Sequence, residues 1–184
     1  MFDICRLSYN IFMSKESTSK KVVIVSGGFD PLHIGHVRLF EEAKKLGDEL
    51  VVVLNNDVWL SDKRGAPFME QEERKEIIEA LRCVDQVVLT KHEANDPDRT
   101  ACYPRWRSIC ATIREIQPNI FAQGGDRNTK DAADPESSAY YERILCEEIG
   151  CEMVFGVGRG GKVQSSSWLI NKSAEFGKVP ATPK

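Results

Sequence analysis

The chain has 184 residues, 41% of them apolar and 29% charged, with a formal net charge of −3. That is the make-up of a globular protein long enough for one α/β domain with a real core and too short for two ordinary ones. The charge exerts no general pull toward nucleic acid or an anionic membrane, so neither is an expected partner and any phosphate binding must be local.

No apolar run approaches the roughly 20 residues that span a bilayer. The mildly apolar residues 1–12 are interrupted by Asp3 and Arg6 and carry no cleavage-site pattern. A cytoplasmic protein is expected, with residues 1–20 as a loose arm and either Met1 or Met13 as the natural start.

Val22-Val23-Ile24-Val25 is a continuous apolar run, the pattern of a strand covered on both faces. Val37, Phe40, Ala43, Lys44 and Leu46 then share one helix face, with Gly47 expected at the C′ stop. Residues 50–54 form the second strand, and 55–65 are read as a flexible loop carrying Lys63 and Arg64. Pro67 and an acidic first turn open a second helix through Ile77, Ile78, Leu81 and Val84. The third strand is 87–89, followed at 90–104 by the least regular stretch. Trp106, Ile109, Cys110, Ile113 and Ile116 mark a third helix ending near Pro118. Residues 120–122 form the fourth strand. Asp134-Pro135 caps a fourth helix that runs through Tyr140, Tyr141, Ile144 and Leu145 to Gly150, and 153–155 form the fifth strand.

This alternation predicts a single doubly wound, mainly parallel, Rossmann-like α/β sheet with helices on both faces. The domain is expected over residues 21–173, with a tail over 174–184. In such sheets ligands sit beyond the carboxyl ends of the strands, where the winding reverses. Segments 27–36, 55–65 and 124–127, each following a strand, should therefore share one edge.

Ser26-Gly27-Gly28-Phe29-Asp30-Pro31-Leu32-His33-Ile34-Gly35-His36 is the densest signal, holding two of the three histidines. Glycines loosen the turn and a helix starts beneath it, so backbone N–H groups, a positive dipole end and two imidazoles gather at one spot. That combination suits a polyphosphate.

Gly27-Gly28-Phe29-Asp30-Pro31-Leu32-His33-x-Gly35-His36 resembles the signature of the cytidylyltransferase-like nucleotidyltransferases. Residues 43–48, Asn56-Asp57, Glu73-Arg74, 84–88, Gly124-Gly125-Asp126 and Gln164-Ser165-Ser166-Ser167 extend the likeness over roughly residues 22–172. The resemblance implies the HxGH-type fold and transfer of NMP from ATP or CTP to a small phosphorylated sugar or polyol, releasing pyrophosphate. It implies His33, His36 and Lys63 as catalytic residues. Gly27, Gly28, Phe29, Asp30, Gly35, Asp126, Arg127, Ser165, Ser166 and Ser167 would bind the nucleotide. Arg64, Arg74, Arg159 and Lys162 form a second tier for phosphate or acceptor. Mg²⁺ is expected with the NTP, held by no protein side chain, and a homodimer is expected.

Two departures stand out. Gly28 replaces the Thr or Cys common at that place, and the late motif over 159–167 is longer and glycine-rich. They motivate an alternative, a non-catalytic nucleotide-binding or regulatory module. A cofactor-type adenylyltransferase acting on phosphopantetheine or a flavin phosphate is the other alternative.

Other readings fit less well. His33, His36 and Asp30 match no common zinc motif. His33-Ile34-Gly35-His36 also spells the class I aminoacyl-tRNA synthetase signature, but Met13-Ser14-Lys15 precedes it rather than follows. Gly156-x-Gly158-x-x-Gly161 mimics a dinucleotide fingerprint with no strand–helix unit after it. Gly161-Lys162 mimics a P-loop, but Val163 stands where Ser or Thr binds Mg²⁺. The stretch is read as a mobile glycine loop. Cys5, Cys83, Cys102, Cys110, Cys146 and Cys151 include no C-x-x-C and are expected to be free thiols. Trp59, Trp106 and Trp168 are expected to pack, and His92 to lie at the surface. Alanine at His33 or His36 is expected to reduce turnover at nearly constant stability.

Overall fold

Side chains on a strand alternate between faces, so a strand apolar at every position requires cover on both. Val23 and Val25 enter one core with Phe40, Ala43, Leu50, Val52 and Ile78. Ile24 enters a second, with Val51, Val53, Ile113, Phe121 and Leu145. The sheet between these two cores is the centre of the molecule.

The computed structural model describes residues 20–125, 127–160 and 164–176. Its five strands are β1 (Val22–Gly27), β2 (Glu49–Leu54), β3 (Gln86–Leu89), β4 (Ile120–Gly124) and β5 (Glu152–Val157). All pairings are parallel and the order is β3-β2-β1-β4-β5, the predicted doubly wound sheet. The helices are α1 (Ile34–Lys44), α2 (Asp57–Arg64), α3 (Gln71–Glu79), α4 (Asp98–Ala101), α5 (Tyr103–Trp106), α6 (Cys110–Ile116), α7 (Ser138–Ile149) and α8 (Ser166–Phe176), with a 3₁₀ turn at Asp131–Ala133. None is long and apolar enough to cross a membrane among the described residues. The chain leaves β1 first toward β2 and later returns to pair β4 on its other side, so the winding reverses between β1 and β4.

Several local expectations are corrected. Residues 57–64 are helical rather than a flexible loop: Asn56 caps α2 by accepting from Trp59 N–H (3.0 Å), and Gly65 ends it at φ 90°. Polar residues hide that helix from a periodicity reading, because only Trp59 and Leu60 are buried. The expected third helix is broken into α5 and α6 by a turn at residues 107–109. α7 is capped by Ser137 Oγ on Ala139 N–H (3.3 Å), downstream of Asp134-Pro135. α8 continues to Phe176, past the expected end of the domain at 173.

His92 is buried, not superficial; its ring lies 5.1 Å edge-on to Trp106, and burial lowers its pKa. Trp106 packs as expected, whereas Trp168 is 53% exposed. Cys83, Cys102, Cys110, Cys146 and Cys151 are free thiols, and Cys5 lies outside the described residues.

α1 ends at Lys44 with Lys45 as a right-handed cap, so Gly47 is not its left-handed stop. Its requirement is space. A Cβ there would meet Lys21 O at 2.5 Å and Val23 Cγ2 at 2.7 Å. Asp48 and Glu49 N–H both donate to that same carbonyl, at 2.8 and 3.2 Å, so it cannot retreat without breaking the entry to β2. Gly47→Ala is expected to cost about 2 kcal/mol, the scale of an overpacked core, read as a lowered urea midpoint at unchanged m.

Candidate active site

β1 and β4 diverge at their carboxyl ends and leave a cleft of about 420 Å³ above the reversal point. The three segments expected at one edge do meet there: Gly27, Gly28, Phe29, His33, Gly35 and His36 line it from the β1 side. Lys63 and Arg64 enter from α2, and Gly124, Gly125 and Arg127 from β4. Arg159 and the serines Ser165, Ser166 and Ser167 close it from beyond β5. Asp126 and Lys162 lie outside the described residues.

The two histidines are built into the start of α1. His33 is its N-cap, with Nδ1 accepting from Gly35 N–H (3.1 Å), and His36 Nδ1 accepts from His33 N–H (3.4 Å), which completes a capping box. The rings stack with centroids 3.6 Å apart. Because each Nδ1 accepts, the neutral form of each ring carries its proton on Nε2. Burial, followed by the charge of His33, pushes the His36 pKa from 6.5 to about 3, and burial also lowers that of His33. Both are therefore neutral N–H donors at ordinary pH. Phe29, at φ 47°, packs edge-on against His36 and Phe40 at 4.9 Å and holds the second imidazole in place.

Two sequence-predicted residues are not presented to the cleft. The Asp30 carboxylate is wholly buried and accepts from Phe68 N–H and Met69 N–H, both at 2.8 Å. It ties the segment after α2 to the β1 turn instead of meeting nucleotide. The Arg74 guanidinium is likewise buried. It donates to Gly28 O (2.7 Å), Asn55 O (2.8 Å), Met69 O (2.9 Å) and Asp57 Oδ1 (2.6 Å). With four of its five N–H groups bonded to protein and the side chain wholly buried, it is not presented to phosphate.

Others differ in setting. Arg64 donates to Asp30 O at 2.7 Å from the last turn of α2, and Lys63 Nζ lies 4.9 Å from the Trp59 ring centroid. Arg159 is paired with Glu41 and Glu42 on α1. Ser166 Oγ donates to Pro31 O (3.0 Å), which fastens α8 to the histidine turn. At Gly28 a Cβ would meet Leu60 Cδ2 at 2.8 Å; Leu60 fills the room that a Thr or Cys side chain would take.

The cleft also holds residues that sequence reasoning missed, Arg107, Gln123 and Glu142, together with Trp59, which was expected to pack and is buried. Glu142 had a signal, since Ala139, Glu142, Leu145 and Cys146 form one buried stripe of α7 and only a special role puts a carboxylate there. Its Oε1 accepts from Ile109 N–H (3.1 Å), and burial pushes its pKa up to about 7. Arg107 had none, because it sits in an irregular segment.

His33→Ala is now expected to cost about 0.5–2 kcal/mol, as loss of an N-cap does, correcting the expectation of unchanged stability. His33→Asn separates the roles: Oδ1 replaces Nδ1 as cap while the Nε2 donor disappears. It should keep most stability and lose on the order of 10²-fold in turnover, measured by urea melts and steady-state rates. The depressed pKa of His36 makes a second claim. Between about pH 6.5 and 3 the unfolded chain binds this proton and the native state does not. The contribution of His36 is complete above pH 6.5 and is lost as pH falls. Glu142, shifted the other way, offsets part of the total slope. The difference between wild type and His36→Asn in urea melts from pH 7 to 4.5 isolates it, and the variant should lose less stability on acidification.

Comparison with known proteins agrees with this geometry. A family model described as cytidylyltransferase-like matches residues 24–149. The chain is 33% identical over 159 residues to FAD synthase of Thermococcus sibiricus, which covers 85% of this chain and 95% of that protein. It is 37% identical over 161 residues to the bifunctional protein HldE of Citrifermentans bemidjiense, spanning 86% of this chain but only 26% of the longer relative. Among solved structures, a lipopolysaccharide core biosynthesis protein from Thermoplasma volcanium aligns with a TM-score of 0.57 at 27% identity, covering 76% of this chain and 98% of that one. Thermotoga maritima TmcAL, solved with alpha-thio ATP, aligns at 0.54 over 85% of this chain and 51% of its own. At 15% identity that likeness speaks for the fold alone.

Proposed function

The chain belongs to the cytidylyltransferase-like family and is a nucleotidyltransferase, and from that premise we propose that it transfers AMP from ATP to a small phosphorylated acceptor. The observation that carries the reading is the stacked His33–His36 pair. It places two neutral Nε2–H donors and a helix N-terminus in one cleft with Lys63, Arg64, Arg107 and Arg127.

A phosphate oxygen of the acceptor attacks the α-phosphorus and forms a P–O–P bond. The bond from the α-phosphorus to the bridging oxygen breaks, and its electron pair leaves on pyrophosphate. No protein nucleophile is needed, so catalysis consists of alignment and of stabilising charge on the equatorial and leaving oxygens. The imidazoles meet that charge as hydrogen-bond donors that never have to lose a proton. Gly27 and Gly28 let the β1 exit approach the phosphates closely, and the backbone N–H groups that open α8, with the Ser167 hydroxyl, receive the leaving group.

Among the described residues Glu142 is the one carboxylate lining the cleft, and it is held by Ile109 N–H. Magnesium is expected to enter with the nucleotide, on its phosphate oxygens. Such an ion supplies charge neutralisation on the pyrophosphate.

ATP is preferred over CTP because a FAD synthase matches along nearly its whole length. The acceptor is a sugar or polyol phosphate, in keeping with the HldE match. A flavin phosphate is the second reading, favoured by that same end-to-end FAD synthase match. The test is pyrophosphate release with ATP or CTP against glycerol 3-phosphate, heptose 1-phosphate, FMN and phosphopantetheine. One ATP-dependent pair should exceed all others by at least about tenfold. Tight ATP binding with silence across the panel would point instead to a nucleotide-binding regulator.

A further inference from the structure

The strand order divides the cleft into two flanks about β1. β4, β5 and the α8 serines lie on one; β2, its helix α2 and the segment after β3 lie on the other. From the segment after β3, Arg107 and Ile109 reach the cleft lining, and that segment is fastened to α2. Arg99 reaches Asp62 Oδ1 at 3.1 and 3.2 Å, and Tyr103 Oη donates to Asp62 Oδ2 at 2.6 Å. Trp59 Nε1 donates to Arg107 O at 3.0 Å.

These ties hold the Arg107 guanidinium 4.9 Å from the Trp59 ring centroid and 5.2 Å from that of Tyr103, at the cleft lining. Lys63 Nζ lies over the same indole. Arg107 Nε is buried with no hydrogen-bond partner, and the nearby carboxylate of Asp62 already serves Arg99 and Tyr103. A planar guanidinium seated on aromatic rings at the cleft lining is pre-organised for an oxyanion.

We infer that Arg107, seated on Trp59 beside Lys63, binds the phosphate of the acceptor and so selects a phosphomonoester dianion as co-substrate. The inference rests on the proposed transfer reaction. In-line displacement puts the entering oxygen opposite the departing pyrophosphate. With the leaving group toward α8 and the transferred phosphorus over the histidines, the acceptor enters along the Trp59 wall. Arg107 holds a non-reacting oxygen of its phosphate while another attacks.

The test is Arg107→Gln, which removes the cation but keeps the backbone carbonyl used by Trp59. With the active acceptor from the panel, its KM should rise at least about tenfold while the KM for ATP stays within about twofold. Inorganic phosphate titrated into the protein saturated with a non-hydrolysable ATP analogue, followed by ³¹P line broadening, should bind at least about fivefold more weakly to the variant. If Arg107→Gln fails to fold, Arg107→Lys takes its place, with about a threefold effect in the same direction. Equal phosphate affinity in both proteins, no phosphate binding by wild type, or a parallel rise in the KM for ATP each overturns the assignment. If wild type turns over no acceptor yet the titrations differ, the transfer reaction fails and the anion subsite stands.

Discussion

The buried Arg74 guanidinium joins four pieces of chain that would otherwise part at the carboxyl edge of the sheet. Gly28 O ends the β1 exit, Asn55 O ends the β2 exit, Met69 O precedes α3, and Asp57 opens α2. An unpaired charge at zero exposure is prohibitive, and one carboxylate alone would not offset its desolvation. Here three carbonyls join that carboxylate as acceptors. The floor of the cleft is therefore specified as a unit, since moving either strand exit leaves a buried cation short of partners. Asp30 does the converse job, an anion held by two N–H groups with the Arg64 guanidinium 3.5 Å from its carboxylate.

On that floor the histidines play a double part. The Nδ1 atoms cap α1, so the fold itself orients the rings, and the Nε2 atoms take no part in the cap. Burial keeps His36 uncharged. A neutral donor polarises a phosphate oxygen without giving up its proton, and two stacked imidazolium rings would repel each other at 3.6 Å. Positive charge comes instead from the walls, where Lys63, Arg64, Arg107 and Arg127 are spread around the cleft. A chain with net charge −3 thereby builds a local anion site.

The number and type of the strands, and the edge at which the cleft opens, were legible because runs such as residues 22–25 and 50–54 are apolar at every position. Glycines at the β1 and β4 exits mark where backbone must come close, and His33 and His36 stand next to them. α2 was not legible. Its polar sequence carries only two buried residues, and its capping by Asn56 is visible only once Trp59 is in place. Arg74 and Asp30 were taken for ligand contacts because a motif gives residue types and spacing, but not which way a side chain turns. Glu142 could have been found from the apolar stripe it interrupts.

The amino-acid order alone determined a five-fold alternation of strands and helices and a glycine–histidine turn at the first crossover, because periodicity and backbone freedom are local properties. Only the tertiary structure decided which charged groups face the cleft. Arg74 and Arg107 are the same residue type in polar surroundings. One is enclosed by carbonyls from three segments, and the other is left with an unfilled donor on an indole. That difference depends on partners up to 48 residues away in the chain, and no local pattern encodes it.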